Sequence, residues 1–300
     1  MDYFLELFSS GMVRGSIYAL IALGYTMVYG IIQLINFAHG EIYMIGAFVA
    51  LIVSGVLTIY GFSGVSILIL AAIIAMIYAA AYGYTLEKIA YRPLRNAPRL
   101  SALISAIGMS LFLQNYVLLA QTPDFLPFPE LIPQFAFMDP IAHVMGSAEL
   151  IILVTSAISM ILLTVLIKYT RIGKAMRATQ QDITMARLTG VNVDQVISMT
   201  FIIGSVLAAI GGVLVASYIG QINFYIGFMA GVKAFTAAVL GGIGNIPGAA
   251  LGGIVLGLAE SFAAGYVSSA YEDVFAFGVL ALILVLRPSG LLGKALKQKV

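Results

Sequence analysis

The sequence predicts an all-α fold: a polytopic transmembrane helical bundle that forms a single domain over residues 1–300. The composition is 61% hydrophobic and only 9% charged, whereas soluble domains carry about 25% charged residues. Mean hydropathy is +1.05, and long apolar runs alternate with short segments that hold the charges. Because the chain has no Cys, it has no disulfide, thiolate metal site or Cys nucleophile.

Apolar runs of spanning length divide the chain into about eight or nine membrane segments, since a spanning helix needs about 20 mostly apolar residues. We place them near residues 12–30, 41–60, 64–84, 101–120, 148–167, 195–219, 228–243, 248–267 and 274–287. If one short segment is re-entrant, the count falls to eight. Small residues four apart, such as Gly11 and Gly15 or Gly253 and Gly257, are typical of closely packed membrane helices.

Lys and Arg set the expected orientation, because cytoplasmic loops hold them in excess. They cluster in residues 88–99, 168–187 and 287–299, whereas 100–167 contains neither and has an acidic, Pro-rich outer loop at 121–147. With nine segments the C-terminus is cytoplasmic and the N-terminus lies outside.

The first polar interruption holds Asn36, Phe37, His39 and Glu41 between two long apolar runs. Polar groups at membrane depth are costly, so they are candidates for a substrate path. The alternative is a hydrated cytoplasmic turn. The zinc-binding H-E-x-x-H spacing is absent, so we expect no metal site.

The second interruption, residues 241–248, includes Gly244 and Asn245 and joins two apolar segments. Broken helices in transporters often form the substrate site. A tight Gly-Pro turn between antiparallel helices is the alternative. Both interruptions fall on the cytoplasmic side of the expected topology.

Lys233 is a basic residue within the seventh predicted segment. Snorkelling toward the outer headgroups explains it most simply. The alternative is a lysine that lines the path or pairs with Glu260 on the next segment.

Residues 171–193 predict a short amphipathic cytoplasmic helix that ends at Gly190. Its apolar side could dock in a groove of a partner protein or lie on the lipid interface.

Catalytic motifs are missing from the sequence. It has no G-x-x-x-x-G-K-[ST] phosphate loop and no G-x-S-x-G elbow. We therefore expect a non-catalytic chain without a cofactor of its own, whose use of ATP depends on partners.

The run YALIALGYTMVYGIIQLINFAHGEIYMIGAF, Tyr18 to Phe48, resembles the permease subunits of bacterial high-affinity branched-chain amino acid ABC transporters. The resemblance continues through AYRPLR, LISAIGMSLFLQNYV, YIGFMAGVKAFTAAVLGGIGNIPGA and RPSGLLG, and so covers nearly the whole chain.

This resemblance implies an inner-membrane importer subunit for leucine, isoleucine and valine. The implied partners are a second homologous permease, two ATP-binding cassette subunits that bind ATP and Mg²⁺, a periplasmic amino-acid-binding protein and membrane lipid, but no nucleic acid. It also implies that the segment around 171–193 couples to the ATPase, with candidate residues Gly173, Arg177, Asp182, Ala186, Arg187 and Gly190. Related permeases carry urea or short amides, and a stand-alone secondary transporter is the alternative of a different class.

Overall fold

The structure is a computed structural model that describes residues 2–95, 97–135 and 144–293. The centre of the predicted outer loop, 136–143, and the basic residues Lys294, Lys297 and Lys299 lie outside the described residues.

Eleven α-helices form within the described ranges, which confirms the predicted all-α fold class. They are α1 Asp2–Ile32, α2 His39–Ile59, α3 Val65–Leu86, α4 Arg99–Ala120, α5 Ser147–Tyr169, α6 Arg171–Gln181, α7 Ile183–Leu188, α8 Val193–Ile219, α9 Ile226–Gly241, α10 Ile246–Tyr266 and α11 Glu272–Leu286. A π-helical turn, Glu87–Tyr91, and two 3₁₀ turns, Arg92–Leu94 and Ser269–Tyr271, join helices. Two-residue strands β1, Leu126–Pro127, and β2, Gln221–Ile222, pair antiparallel.

Eight of the described helices are long and apolar enough to cross a membrane: α1 to α5, α8, α10 and α11, the last counted with its preceding 3₁₀ turn. Helix α9 has only 16 residues, or about 24 Å at 1.5 Å per residue. The seventh predicted segment, 228–243, is therefore too short to span as a helix by itself.

The bundle is centred on α1 and α8, and α1 runs antiparallel to α10 along much of its length. A Cβ on Gly257 would lie 2.2 Å from the backbone nitrogen of Gly15, so these two helices touch through bare backbone. Gly11 and Gly253 also lie in this contact. The glycine spacing thus forms a helix interface, as the sequence predicts.

The charges distinguish the two ends of the bundle. The basic end is formed by residues 87–95, 169–193, 241–246 and 287–293, and the acidic end by residues 2–6, 60–64, 121–135 and 266–273. Tyr3 at the start of α1 donates a hydrogen bond to the Gly265 carbonyl at 2.8 Å, and Leu291 donates to the Leu240 carbonyl at 2.8 Å. The described chain therefore begins at the acidic end and finishes at the basic end.

Candidate functional site

Helix α2 begins inside the bundle, away from its basic end. After α1 ends at Ile32, the chain turns back, and the ring of His39 occupies the space beside Gly24. Gly24 lies eight residues before Ile32, which is about 12 Å along the helix. The first interruption therefore runs from the basic end, where Asn36 contacts Tyr91, into the bundle, where His39 begins α2.

The polar side chains of this interruption are buried. Asn36, His39 and Glu41 are exposed by 2%, 1% and 0%, which rules out a hydrated turn. Asn36 Oδ1 accepts a hydrogen bond from the Tyr91 hydroxyl at 2.9 Å, and Tyr25 meets the His39 ring edge-on at 4.9 Å. The interruption is thus a buried polar cluster between α1, α2 and the end of α3.

Glu41 lies in the first turn of α2 and faces the first turn of α9. Its Oε1 accepts a hydrogen bond from Ser110 of α4 at 2.9 Å, whereas Oε2 accepts none from the described residues. A Cβ on Gly227 would be 2.6 Å from Oε2, so only a glycine fits at that position of α9. Within the described part of the chain, no Lys or Arg forms an ion pair with Glu41.

A cavity of 60 Å³ lies between α4 and α9, next to Ser110, the hydrogen-bond donor to Glu41. Its polar edge carries the hydroxyl-bearing side chains of Ser110 and Tyr25, and the rest of its wall is mainly apolar. The lining residues are Tyr25, Phe37, Ile107, Ser110, Leu111, Phe228, Gly231 and Val232. Phe37 is the one residue of the first interruption in this wall.

Lys233 belongs to a separate cluster that faces α10 and α11. Its Nζ lies 2.8 Å from Asp273, 3.3 Å from Glu260 and 3.5 Å from Glu272. The pairing with Glu260 is therefore present, and the contacts with Glu272 and Asp273 show that the side chain also extends toward the acidic end, as snorkelling predicts. Three carboxylates around one ammonium favour a structural role for Lys233 over a place in the substrate path.

Gly244 and Asn245 lie at the basic end, apart from the first cluster. Asn245 accepts a hydrogen bond from the Gly248 amide at 3.2 Å, which caps α10, and donates to the Leu292 carbonyl at 2.6 Å. Gly244 has a φ of +89°, which glycine adopts without strain. The second interruption is thus a capped turn that joins α9 to α10.

The predicted coupling segment forms two helices, α6 and α7, where the sequence suggests one. Asp182 separates them, because its Oδ1 accepts hydrogen bonds from the amides of Thr184 at 2.8 Å and Met185 at 3.0 Å. Gly190, with a φ of +85°, follows α7 and turns the chain toward α8. Gly173 and Ala186 are buried, whereas Arg187 is exposed.

Helix α6 is held to the bundle on its apolar side. Gly173 packs against the carbonyl of Ile167, and Arg177 donates a hydrogen bond to that same carbonyl. Gln180 reaches the Gly244 carbonyl at 3.5 Å, so α6 touches the turn between α9 and α10. Met176 of α6 is buried, whereas Ile172 is 41% exposed, so this chain covers the apolar side of α6 only in part.

An ionic network joins the end of α3 to the start of α8 at the basic end. Glu87 accepts hydrogen bonds from Arg92 at 2.8 Å and Ser198 at 2.9 Å, and it also pairs with Arg95. Arg95 in turn pairs with Asp194. This network lies where the chain leaves the α6 and α7 segment.

Several site residues were missed by sequence reasoning, namely Ser110, Tyr25, Phe228 and Gln180. Ser110 and Tyr25 sit in apolar helices, where one hydroxyl carries little signal. Glu41 is a buried carboxylate and needs a hydrogen-bond donor. Only a search for such donors on the other segments would have identified Ser110 from the sequence.

Comparison with known proteins agrees with this architecture. The family described as the branched-chain amino acid transport system / permease component matches residues 7–284. The chain is 48% identical over 302 residues to the high-affinity branched-chain amino acid transport system permease protein LivH of Escherichia coli K12, covering 99% of this chain and 98% of that protein. It is 49% identical over 302 residues, with the same coverage, to the permease protein BraD of Pseudomonas aeruginosa.

These matches extend over nearly the whole chain and include both polar interruptions and the α6 and α7 segment. The chain is thus a multi-pass membrane protein, and it belongs to the permease components of branched-chain amino acid transport systems.

Proposed function

We propose that this chain is the membrane-spanning permease subunit of an ATP-driven importer for leucine, isoleucine and valine in the bacterial inner membrane. The observation that carries the proposal is the full-length match to permeases of branched-chain amino acid transport. The structure supports it with two helices, α2 and α9, that begin beside a buried polar cluster. Helices that start inside the bilayer are a recurring way to build a transport site.

The proposed partners follow the organisation of an ABC importer. A second homologous permease completes the path, two ATP-binding cassette subunits hold ATP and Mg²⁺, and a periplasmic binding protein delivers the amino acid. This chain supplies no catalytic group of its own. The positive charge of the basic end favours a cytoplasmic location for it and for the C-terminus.

The α6 and α7 segment is the proposed contact with the ATPase. Helix α7 exposes three apolar side chains at the basic end, Ile183, Met185 and Leu188, which are exposed by 38%, 59% and 75%. An exposed apolar helix face fits a groove on a partner. The contact between Gln180 and Gly244 would transmit movement of this segment to the turn that begins α10. Val191 would transmit it to α8.

The acidic end is the proposed docking side for the binding protein. An open depression of 630 Å³ there is lined by residues that include Glu6, Glu130 and Glu149. A ring of carboxylates favours a partner with complementary positive charge and raises the rate of encounter. Residues 136–143 of this side lie outside the described chain.

Uptake into proteoliposomes tests the proposal. Vesicles contain the chain with its partner permease and ATPases, ATP inside, and the binding protein loaded with labelled leucine outside. We expect uptake that requires ATP and is competed by isoleucine and valine. Better competition by urea or acetamide would assign the substrate to the short amides instead. Undiminished uptake without the ATPases would indicate a stand-alone transporter.

A further inference from the structure

We propose that the Glu41 carboxylate is the counter-charge for the ammonium group of the amino acid in transit. The inference deepens the proposed function and rests on it. It follows from a buried carboxylate that pairs with no cation of the described residues and whose hydrogen-bond donor, Ser110, lines a cavity of matching chemistry.

Two helix N-termini place partial positive charge near Glu41. The side chain lies in the first turn of α2 and faces the first turn of α9 at Gly227. Neither helix has a capping side chain, so their first-turn amides point toward this region unopposed by a protein cap. The partial positive charge of a helix N-terminus stabilises a nearby carboxylate.

Among the residues that the structure describes, no cationic side chain pairs with Glu41. Ser110 donates to Oε1 only, and Oε2 accepts no hydrogen bond from these residues. Glu260, which is also fully buried, differs: it accepts from the Tyr18 hydroxyl at 2.7 Å and pairs with Lys233. Because a buried charge without its partner costs several kcal/mol, the open oxygen of Glu41 is suited to a cation that arrives with the substrate.

The adjoining cavity matches the remainder of a branched-chain amino acid. Ser110 links its polar edge to Glu41, and Phe37, Phe228, Ile107 and Leu111 form an apolar wall for an aliphatic side chain. Ile107, Leu111 and Phe228 are 45%, 50% and 40% exposed, so this wall lies at the surface of the described bundle. Glu41 does not line the cavity and its Oε2 is buried, so the described conformation separates Oε2 from the cavity.

Opening the site requires α9 to move away from α2. These helices meet through glycines: a Cβ on Gly40 would lie 2.3 Å from the Gly227 carbonyl oxygen and 2.8 Å from the Gly231 Cα. Backbone surfaces without side chains can separate with no interlocked side chain to repack. Movement of α9 would expose Oε2, which faces Gly227, to the enlarged cavity.

Equilibrium binding of labelled leucine to the purified complex, without binding protein or ATP, tests the inference. The competitors are isopentylamine, which keeps the ammonium group and the branched chain, and 4-methyl-2-oxopentanoate, which keeps the carboxylate and the branched chain. The variants are Glu41→Gln and Glu41→Asp. Asp124→Asn is the control, because Asp124 is exposed and does not line the depression proposed for binding-protein docking.

In the wild-type complex we expect isopentylamine to displace leucine and the oxo acid to be far weaker. Glu41→Gln should weaken leucine binding by about 30-fold or more, as expected when one partner of a buried charge pair is truncated. It should also abolish displacement by the amine. Glu41→Asp should retain part of the affinity, and Asp124→Asn all of it.

Two results would overturn the inference. One is a Glu41→Gln variant that binds leucine with wild-type affinity and from which the amine still displaces leucine. The other, which needs no variant to fold, is equal displacement by the oxo acid and the amine in the wild-type complex. If ATP-driven leucine uptake persists in either case, the proposed function stands while the role of Glu41 is rejected.

Discussion

The hydroxyl of Ser110 donates a 2.9 Å hydrogen bond to the carboxylate of Glu41 and joins the middle of α4 to the start of α2 inside the bundle. This is the one hydrogen bond that the Glu41 side chain makes within the described residues. It fixes the rotamer of a carboxylate that no cation of the described chain neutralises.

Replacing Ser110 with Ala should destabilise the protein. The substitution leaves a buried carboxylate without its donor, which costs about 1 to 3 kcal/mol or more for a charged group. We expect a lower thermal midpoint and weaker leucine uptake. Ser110→Thr, which keeps a hydroxyl, is the control, and equal midpoints for the Ala and Thr variants would show that this hydrogen bond contributes little.

The contact between α1 and α10 should not tolerate a side chain at Gly257. A Cβ there would lie 2.2 Å from the Gly15 nitrogen, so the helices must separate. Gly257→Ala should lower stability by about 1 to 3 kcal/mol, the usual cost of overpacking. Gly108→Ala in α4 is matched in chemistry, has no atom within 4 Å of the new Cβ and should be neutral. Thermal unfolding of both purified variants measures this, and similar midpoints would contradict the described contact.

The sequence predicts the helices well because apolar length and Gly spacing determine membrane helices locally. It fails where the outcome depends on distant segments. The depth of His39 is set by its contact with Gly24 on the preceding helix, and the environment of Lys233 is set by Glu260, Glu272 and Asp273. A polar interruption looks the same in sequence whether the chain emerges into water or turns back into the bundle.

The α6 and α7 segment shows the same distinction. Its helical character and its stop at Gly190 follow from local composition. The break between α6 and α7 does not, because it depends on Asp182 adopting an extended backbone and capping α7. The pattern of alternating apolar and polar residues continues through that break.

Lys233→Met should be more disruptive than the loss of an exposed lysine. It leaves Glu260, Glu272 and Asp273 facing one another with only Arg14 nearby, which pairs with Glu272 at 3.0 Å. Removing one partner of a buried ion pair costs about 3 to 5 kcal/mol. Adding Glu260→Gln to this variant should recover part of the loss. A double variant less stable than Lys233→Met would mean that Glu260 is not balanced by Lys233.

Asp182→Ala should weaken the proposed ATPase contact by fraying α7. Loss of an N-cap costs about 1 kcal/mol, so α7 should lose order while the bundle stays folded. We expect less ATPase to copurify and slower ATP-driven uptake. Asp182→Ser, which also caps helices, should restore both. Unchanged copurification in Asp182→Ala would argue against α7 as the coupling element.

Thiol labelling tests most directly the central claim that the substrate passes between α2 and α9. The chain lacks Cys, so Phe228→Cys in the cavity wall and Ile161→Cys, 62% exposed on α5, each supply a single thiol in this subunit. The measurement is the rate at which a water-soluble maleimide labels each thiol in the assembled transporter. At position 228 this rate should depend on ATP turnover and be slowed by leucine. At position 161 it should respond to neither. Labelling of position 228 that ignores both ATP and leucine would place the path elsewhere in the bundle.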